Sequence, residues 1–146
     1  MTPSNIISAL ALTLACASFG YTVIATKGAR ISASKPVVVF EYSGSNGWSI
    51  KNVGNGPALD VVVSIRASNG AWENPVRVPP LGADSSIKLM YLAHTNVESL
   101  GARYADTNKR VYSSIVEKDQ TQILEGNHFP EWSEAQVVAL WAAEPL

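Results

Sequence analysis

The sequence predicts one all-β domain, an antiparallel β-sandwich, preceded by a single N-terminal transmembrane helix. From Pro36 onward, short runs of β-branched and aromatic residues alternate with turn residues at intervals of roughly 8 to 12 positions. Before Lys27 there is no charged side chain, and helical periodicity is otherwise absent until the C-terminal segment. After such an anchor about 110–120 residues remain, enough for one core between two packed layers.

Composition excludes several classes of function. The 11 lysines and arginines face 12 aspartates and glutamates, for a net charge of -1, so no basic field exists to attract nucleic acid. The one cysteine, Cys16, lies in the apolar leading segment. The domain therefore contains no intrachain disulfide and no multi-cysteine zinc site, and depends on packing alone.

The leading segment has the length of a membrane span. Residues Asn5 to Thr26 are 22 uncharged positions. A helix of that length extends about 33 Å, which matches a hydrocarbon core of about 30 Å. Tyr21, Lys27 and Arg30 follow the pattern of interface anchors. We therefore divide the chain into an anchor (1–27), a tether (28–35), a sandwich domain (36–128) and an apolar tail (129–146).

Two other interpretations of this segment stay open. Ala15-Cys16-Ala17 resembles a signal-peptidase site, although a basic leading region is missing and apolar sequence continues past it. Cys16 could also end a lipoprotein signal, although Thr13-Leu14-Ala15 matches that pattern poorly. A retained helix explains the whole segment best.

Charge also predicts the orientation in the inner (cell) membrane. Basic residues follow the helix at Lys27, Arg30 and Lys35, and no basic side chain precedes it. The positive-inside rule then favours a cytoplasmic sandwich domain. A periplasmic domain stays open because three charges are few.

One face of the predicted helix suits contact with other membrane helices. Small residues recur at spacings of three and four and form a seam: Ser8, Ala11, Ala15, Ser18 and Thr22. Small seams allow helices to approach closely in lipid, so we expect other transmembrane subunits as partners besides the lipid itself. Alanine and serine are also simply common in membrane helices, so the seam alone does not decide the point.

Eight strands are predicted in the domain. In chain order they are Pro36–Tyr42, Trp48–Val53, Leu59–Ala67, Val76–Val78, Ser86–Leu92, Val97–Asp106, Arg110–Glu117 and Gln120–Leu124. Asp106 to Lys109 is predicted to be a hairpin turn. Trp48 is expected in the core, and Trp72 in an exposed loop.

The tail is unusually apolar. Ser133 could cap a short helix over Glu134 to Ala142. Part of the tail is expected to close the sandwich or to pack along its edge. The alternative is an exposed patch for a partner or the bilayer surface, and the candidate contact residues are Trp132, Val138 and Trp141.

The segment from Asn52 to Val61, NVGNGPALDV, resembles a motif of bacterial single-pass membrane proteins. These proteins carry an immunoglobulin-like β-sandwich with the signature N-x-G-x-G-P-A-x-x-V after a helix and a basic tether. Lys35-Pro36 resembles the start of their first strand, Val78-Pro79-Pro80-Leu81 a later loop, and Tyr104-Ala105-Asp106 a hairpin turn. The resemblance covers about residues 30 to 120 and implies an immunoglobulin-like architecture, but no reaction.

The motif also has a physical interpretation. The amide of Asn52 can bond the backbone of the turn, while Gly54 and Gly56 permit positive φ or close backbone approach. Pro57 fixes φ, and Ala58 then enters the next strand tightly packed. A phosphate-binding loop is disfavoured because no Gly-Lys-Ser/Thr ending and no helix follow.

No pattern predicts catalysis, a cofactor or a metal. His94 and His128 lie in different segments, without a ligand at metal spacing. Glu117 and Asp119 share one strand face, which fits a solvated surface. No G-x-S-x-G occurs, and Ser113 and Ser114 fit structural roles.

The sequence therefore favours a non-catalytic, membrane-anchored accessory or structural subunit of a larger membrane complex. Photosynthetic and respiratory assemblies are one setting that such a subunit fits. The alternative is a stand-alone, membrane-tethered module that binds a protein or ligand through sandwich loops such as Ser43 to Gly47 and Ser68 to Asn74. An enzyme is the third, least favoured reading, since it would need a pocket with convergent polar groups.

Overall fold

The chain divides into two compact units, Met1–Ala33 and Ser34–Leu146. The computed structural model describes residues 34–92, 94–95, 97–118 and 120–145, together with residues 18, 22 and 26. The second unit contains all the strands described below.

In the first unit, Ser18, Thr22 and Thr26 are helical and exposed. The Thr22 hydroxyl donates to the Ser18 carbonyl at 2.9 Å, and the Thr26 hydroxyl to the Thr22 carbonyl at 2.7 Å. Within the part of the chain that the structure describes, no helix is both long and apolar enough to cross a membrane. The rest of the predicted anchor, with Cys16 and the seam residues Ser8, Ala11 and Ala15, lies outside the described residues.

The second unit is all-β, as predicted. Its strands, in chain order, are β1 (Val38–Ser43), β2 (Gly47–Asn52), β3 (Leu59–Arg66), β4 (Trp72–Arg77), β5 (Ser86–Lys88), β6 (Ser99–Ala105), β7 (Val111–Glu117), β8 (Gln120–Glu125) and β9 (Val138–Ala139). They form a three-stranded sheet, β1-β2-β5, and a six-stranded sheet, β8-β7-β6-β3-β4-β9. All pairings are antiparallel except that of β9 with β4, which is parallel.

A single core lies between the two sheets. Val38 and Ile50 contribute from the three-stranded sheet, and Val61, Val63 and Leu100 from the six-stranded sheet. Each of these side chains is at most 1% exposed. Burial of β-branched and aliphatic side chains at every second position is what commits these segments to strands.

A closed polar network joins the sheets inside this core. The Val38 N–H donates to the Tyr104 hydroxyl at 3.3 Å, and the Ser114 hydroxyl donates to the Val38 carbonyl at 2.6 Å. The two hydroxyls are 3.1 Å apart and complete the ring. The free backbone groups of β1 are thereby satisfied by side chains of the opposite sheet, which fixes how the sheets face each other. Burial raises the pKa of Tyr104, so its hydroxyl stays protonated.

Several local predictions are wrong. The strand predicted over Ser86–Leu92 ends at Lys88, and the strand predicted to begin at Val76 begins at Trp72. Ser133 does not cap a helix over Glu134–Ala142, since Val138–Ala139 pairs with β4 and only Leu140–Ala142 forms a single 3₁₀ turn. Two adjacent valines at 137 and 138 favour the extended form when a strand edge is available. Trp72 begins β4 rather than lying in an exposed loop, and Trp48 is half-buried against the core rather than within it.

Candidate functional site

Asn52, the first residue of the sequence motif, is fully buried at the end of β2. Its Oδ1 accepts hydrogen bonds from the N–H groups of Val37 and Gly54, at 3.1 and 3.0 Å. Its Nδ2 donates to three backbone carbonyl groups, at 2.8, 3.1 and 3.2 Å: those of Gly56, Leu81 and Gly82. The predicted bond to the turn is confirmed, and the same amide also ties the loop before β5 to the start of β1.

Both motif glycines allow close backbone approach. A Cβ on Gly54 would lie 2.5 Å from the Lys35 carbonyl oxygen, and one on Gly56 would overlap the Ser34 carbonyl group. After Pro57, Ala58 is fully buried and exchanges two backbone hydrogen bonds with Leu81, of 2.8 and 2.9 Å. This end of the domain is closed, and its polar groups point to architecture rather than to a ligand.

The predicted hairpin at Asp106 has the same character. Its Oδ1 accepts from the N–H groups of Asn108 and Arg110, at 2.7 and 2.9 Å, and its Oδ2 accepts from the Tyr112 hydroxyl at 3.3 Å. Lys109 adopts a φ of 62°, which the turn requires. Burial and the neighbouring Asp106 carboxylate raise the pKa of Tyr112.

The tail begins with an aromatic anchor on the outer face of the six-stranded sheet. Leu100 and Ala102 belong to the core, so strand alternation places Gly101 on the opposite face. A Cβ on Gly101 would lie 2.5 Å from the Phe129 ring and 2.9 Å from the Trp72 ring. Only glycine therefore lets Phe129, which is 7% exposed, lie flat on β6.

Phe129 lies between two tryptophans. Its ring centroid is 4.8 Å from that of Trp72, edge to face, and 6.0 Å from that of Trp132. We call these three residues the aromatic row. The Arg66 guanidinium lies 5.6 Å from the Trp72 ring centroid as a cation–π contact. The candidate contact residue Trp132 is thus half-buried in the row.

The tail then pairs with the open edge of β4. Val138 and Ala139 pair with Val76 and Arg77. Ahead of this pairing, Arg77 holds Glu134 through two hydrogen bonds of 3.1 Å each. That hydrogen bond to Glu134 raises the pKa of Arg77, and the Arg77 guanidinium lowers the pKa of the Glu134 carboxyl.

The other two candidate contact residues face solvent although the tail is docked. Trp141 is 86% exposed and Val138 is 41% exposed, while Leu140 and Ala143, next to Trp141 and Ala142, pack against the core. Trp141 therefore presents an almost fully exposed indole on a segment that is otherwise paired with β4 and packed on the domain.

A cavity of about 740 Å³ lies between β4 and the tail. We call it the tail cavity; its walls include Trp72 and Val76 from β4, Trp132 and Val138 from the tail, and Tyr91 from the loop before β6. Tyr91 is 4% exposed, and its buried hydroxyl has no hydrogen-bond partner among the residues that the structure describes. Burial strongly raises the pKa of this phenol, so it stays protonated.

A second concave region lies among the loops at one end of the sandwich. Tyr42 and Trp48 pair across the β1–β2 hairpin with ring centroids 5.1 Å apart, and the Tyr42 hydroxyl is 3.2 Å from His94 Nδ1. They line a cavity of about 460 Å³ that also includes Ser99. A neighbouring cavity of about 560 Å³ includes Ser68, Gly70 and again Ser99. We call the two together the loop-end cleft.

The remaining polar residues make no reactive constellation. His128 lies against the Glu125 carbonyl at 3.1 Å, in a different segment from His94. Ser113 bridges the Gly126 carbonyl and the His128 N–H, at 2.7 and 3.1 Å. Asp119 lies outside the described residues. Among the residues that are described, no three histidine, cysteine or carboxylate side chains are grouped so as to hold a metal ion.

Sequence reasoning missed two residues of the tail face. Gly101 stands in the middle of a strand pattern, and such a glycine indicates close approach by another group. No sequence pattern indicated Tyr91, because the environment of its hydroxyl depends on the tertiary packing around it.

We compared the chain with known protein families, curated proteins and solved structures, and none matches it.

Proposed function

We propose that the protein is a non-catalytic accessory subunit, anchored in the inner membrane by its N-terminal helix and bound to a partner protein through its C-terminal tail. The sandwich domain, with immunoglobulin-like topology, is the scaffold that presents this tail. The proposal needs no metal or cofactor and no nucleic acid.

The exposure of Trp141 on a docked segment carries the proposal. The aromatic row, the β9 pairing and the Arg77–Glu134 pair fix the tail to the sheet. The exposed side chains of the tail include the apolar Val138 and Trp141, and tryptophan is one of the residue types enriched at the energetic centre of protein interfaces.

Extraction in mild detergent followed by native sizing tests this proposal. The wild-type chain should migrate with a second protein. Trp141→Ala should release that protein while leaving the unfolding midpoint unchanged, because the side chain buries almost nothing within the chain. A lone small species for the wild type would contradict the proposal.

The anchor has a separate test. Ala15→Leu with Ser18→Leu fills the small-residue seam, so it should weaken association with membrane partners and leave the chain in the membrane. Release of the wild-type chain after membranes are pelleted would contradict the anchor. Protease accessibility of the loop near Asn69 would then decide between the cytoplasmic and the periplasmic side.

A second candidate function is a stand-alone binding module that acts through the loop-end cleft. It is supported by the contacts of Tyr42 with Trp48 and His94, and by the nearby Ser99, whose buried hydroxyl finds no hydrogen-bond partner in the described part of the chain. Native sizing separates the two functions. Loss of a co-migrating protein in Trp48→Ala but not in Trp141→Ala would favour the cleft.

A further inference from the structure

We propose that the tail cavity receives a basic side chain, lysine or arginine, that the partner presents on an apolar segment. The inference rests on the proposed function and deepens it, since Val138 and Trp132 belong both to the cavity and to the partner surface. It names the chemistry that the partner brings.

The charge of the cavity supports a cationic occupant. Glu73, on β4, and Glu144, on the tail, both line it. Among the described residues that line the cavity there is no lysine, arginine or histidine, and no described residue forms an ion pair with either carboxylate. An anionic ligand would be repelled, and a purely apolar ligand would leave both carboxylates unused.

The aromatic walls support the same occupant. Trp72 and Trp132 lie on the β4 and tail sides, and a cation near an indole is attracted by the ring quadrupole. The domain already uses this attraction where Arg66 lies by Trp72. A lysine or arginine stem would cover apolar wall while its head reaches the carboxylates.

Tyr91 gives an independent sign of an unfilled site. Tyr91 lines the cavity, and its buried hydroxyl lacks a hydrogen-bond partner among the described residues, which is costly inside a protein. A polar group of the partner brought to this wall of the cavity would supply the hydrogen bond that the phenol lacks.

Peptide titration of the full chain in mild detergent tests the inference. The probes are two capped pentapeptides, Leu-Ala-Lys-Ala-Leu and the same peptide with norleucine for lysine, which keeps the stem and removes the ammonium. The readout is the set of indole N–H signals of the four tryptophans. We expect the lysine peptide to shift the Trp72 and Trp132 signals, to leave Trp48 unmoved, and to bind about tenfold more tightly than the norleucine peptide.

Variants connect this binding to the cavity. Glu73→Gln with Glu144→Gln should weaken binding of the lysine peptide by about tenfold, and Tyr91→Phe by about threefold. The matched control Glu98→Gln, an exposed carboxylate of the loop-end cleft, should change nothing. Equal binding of the two peptides, or no shift of the Trp72 and Trp132 signals, would overturn the inference.

The native partner separates this inference from the proposed function. Loss of the co-migrating protein in both Trp141→Ala and the double glutamine variant supports both. Loss of the co-migrating protein in Trp141→Ala alone overturns the proposal of a basic side chain and leaves the proposed subunit role standing. Selective lysine-peptide binding with no partner in native sizing overturns the subunit role and leaves the cavity specificity.

Discussion

The Asn52 turn and the C-terminal tail differ in how completely their polar groups are satisfied. At the turn, one buried amide bonds five backbone groups, and glycines bring the chain segments into direct contact. At the tail, the described residues offer no hydrogen-bond partner to the buried phenol of Tyr91, a cavity lies open and the indole of Trp141 faces solvent. The comparison predicts that substitutions in the first region will act mainly on stability, and that substitutions in the second will act mainly on association with the proposed partner.

Asn52→Ala should have the largest effect on stability. It removes five hydrogen bonds and leaves backbone groups buried without partners, so we expect a loss of about 3–5 kcal/mol in the free energy of unfolding. Chemical unfolding of the full chain in mild detergent measures it. The control Asn69→Ala, in an exposed turn, should cost less than about 1 kcal/mol. Equal losses would remove the distinction between the two regions.

Gly56→Ala should have the next largest effect, a loss of about 2–3 kcal/mol in the free energy of unfolding. Its Cβ would overlap the Ser34 carbonyl group, and backbone atoms cannot move aside as the end of a side chain can. Gly44→Ala is the control, since a Cβ there meets nothing within 4 Å. The same unfolding measurement applies. A loss for Gly56→Ala no larger than for Gly44→Ala would show that the turn is looser than described.

Gly101→Ala should act on the tail more than on the core. The added methyl displaces the Phe129 ring, at a cost of about 1–2 kcal/mol. The tail should then be cleaved faster by protease near Trp132, and the partner should be lost in native sizing. Gly82→Ala, whose Cβ would meet only the Ser85 hydroxyl at 3.9 Å, should do neither. Unchanged protease resistance in Gly101→Ala would mean that Phe129 does not anchor the tail.

The Arg77–Glu134 pair should give the smallest effect, and one that depends on pH. The folded pKa of Glu134 is lowered, so its contribution to stability is present above the ordinary value of 4.5 and is lost as pH falls through the lowered pKa. The wild type should therefore be more stable than Glu134→Gln at pH 7, and this difference should shrink as the pH falls below 4.5. A stability difference between the wild type and Glu134→Gln that grows as the pH falls would contradict a stabilising Arg77–Glu134 ion pair.

Local chemistry explains which features could be predicted from the sequence. Alternation and turn residues predict a strand at each of β1 to β8, although β4 begins at Trp72 rather than Val76 and β5 ends at Lys88 rather than Leu92. The bond from Asn52 to its own turn follows from the short amide side chain. The bonds from Asn52 to Leu81 and Gly82 link positions 29 and 30 residues apart, beyond any local pattern. A helix was predicted for the tail because local sequence does not reveal its pairing with β4. That strand lies some 60 residues earlier in the chain.

Site-specific photo-crosslinking in intact membranes tests the central claim most directly. A photoreactive phenylalanine replaces either Trp141, on the tail, or Val53, which is 46% exposed beside the Asn52 turn. The account predicts one discrete protein adduct from position 141 and none from position 53. The same adduct from both positions, or an adduct from position 53 alone, would contradict it.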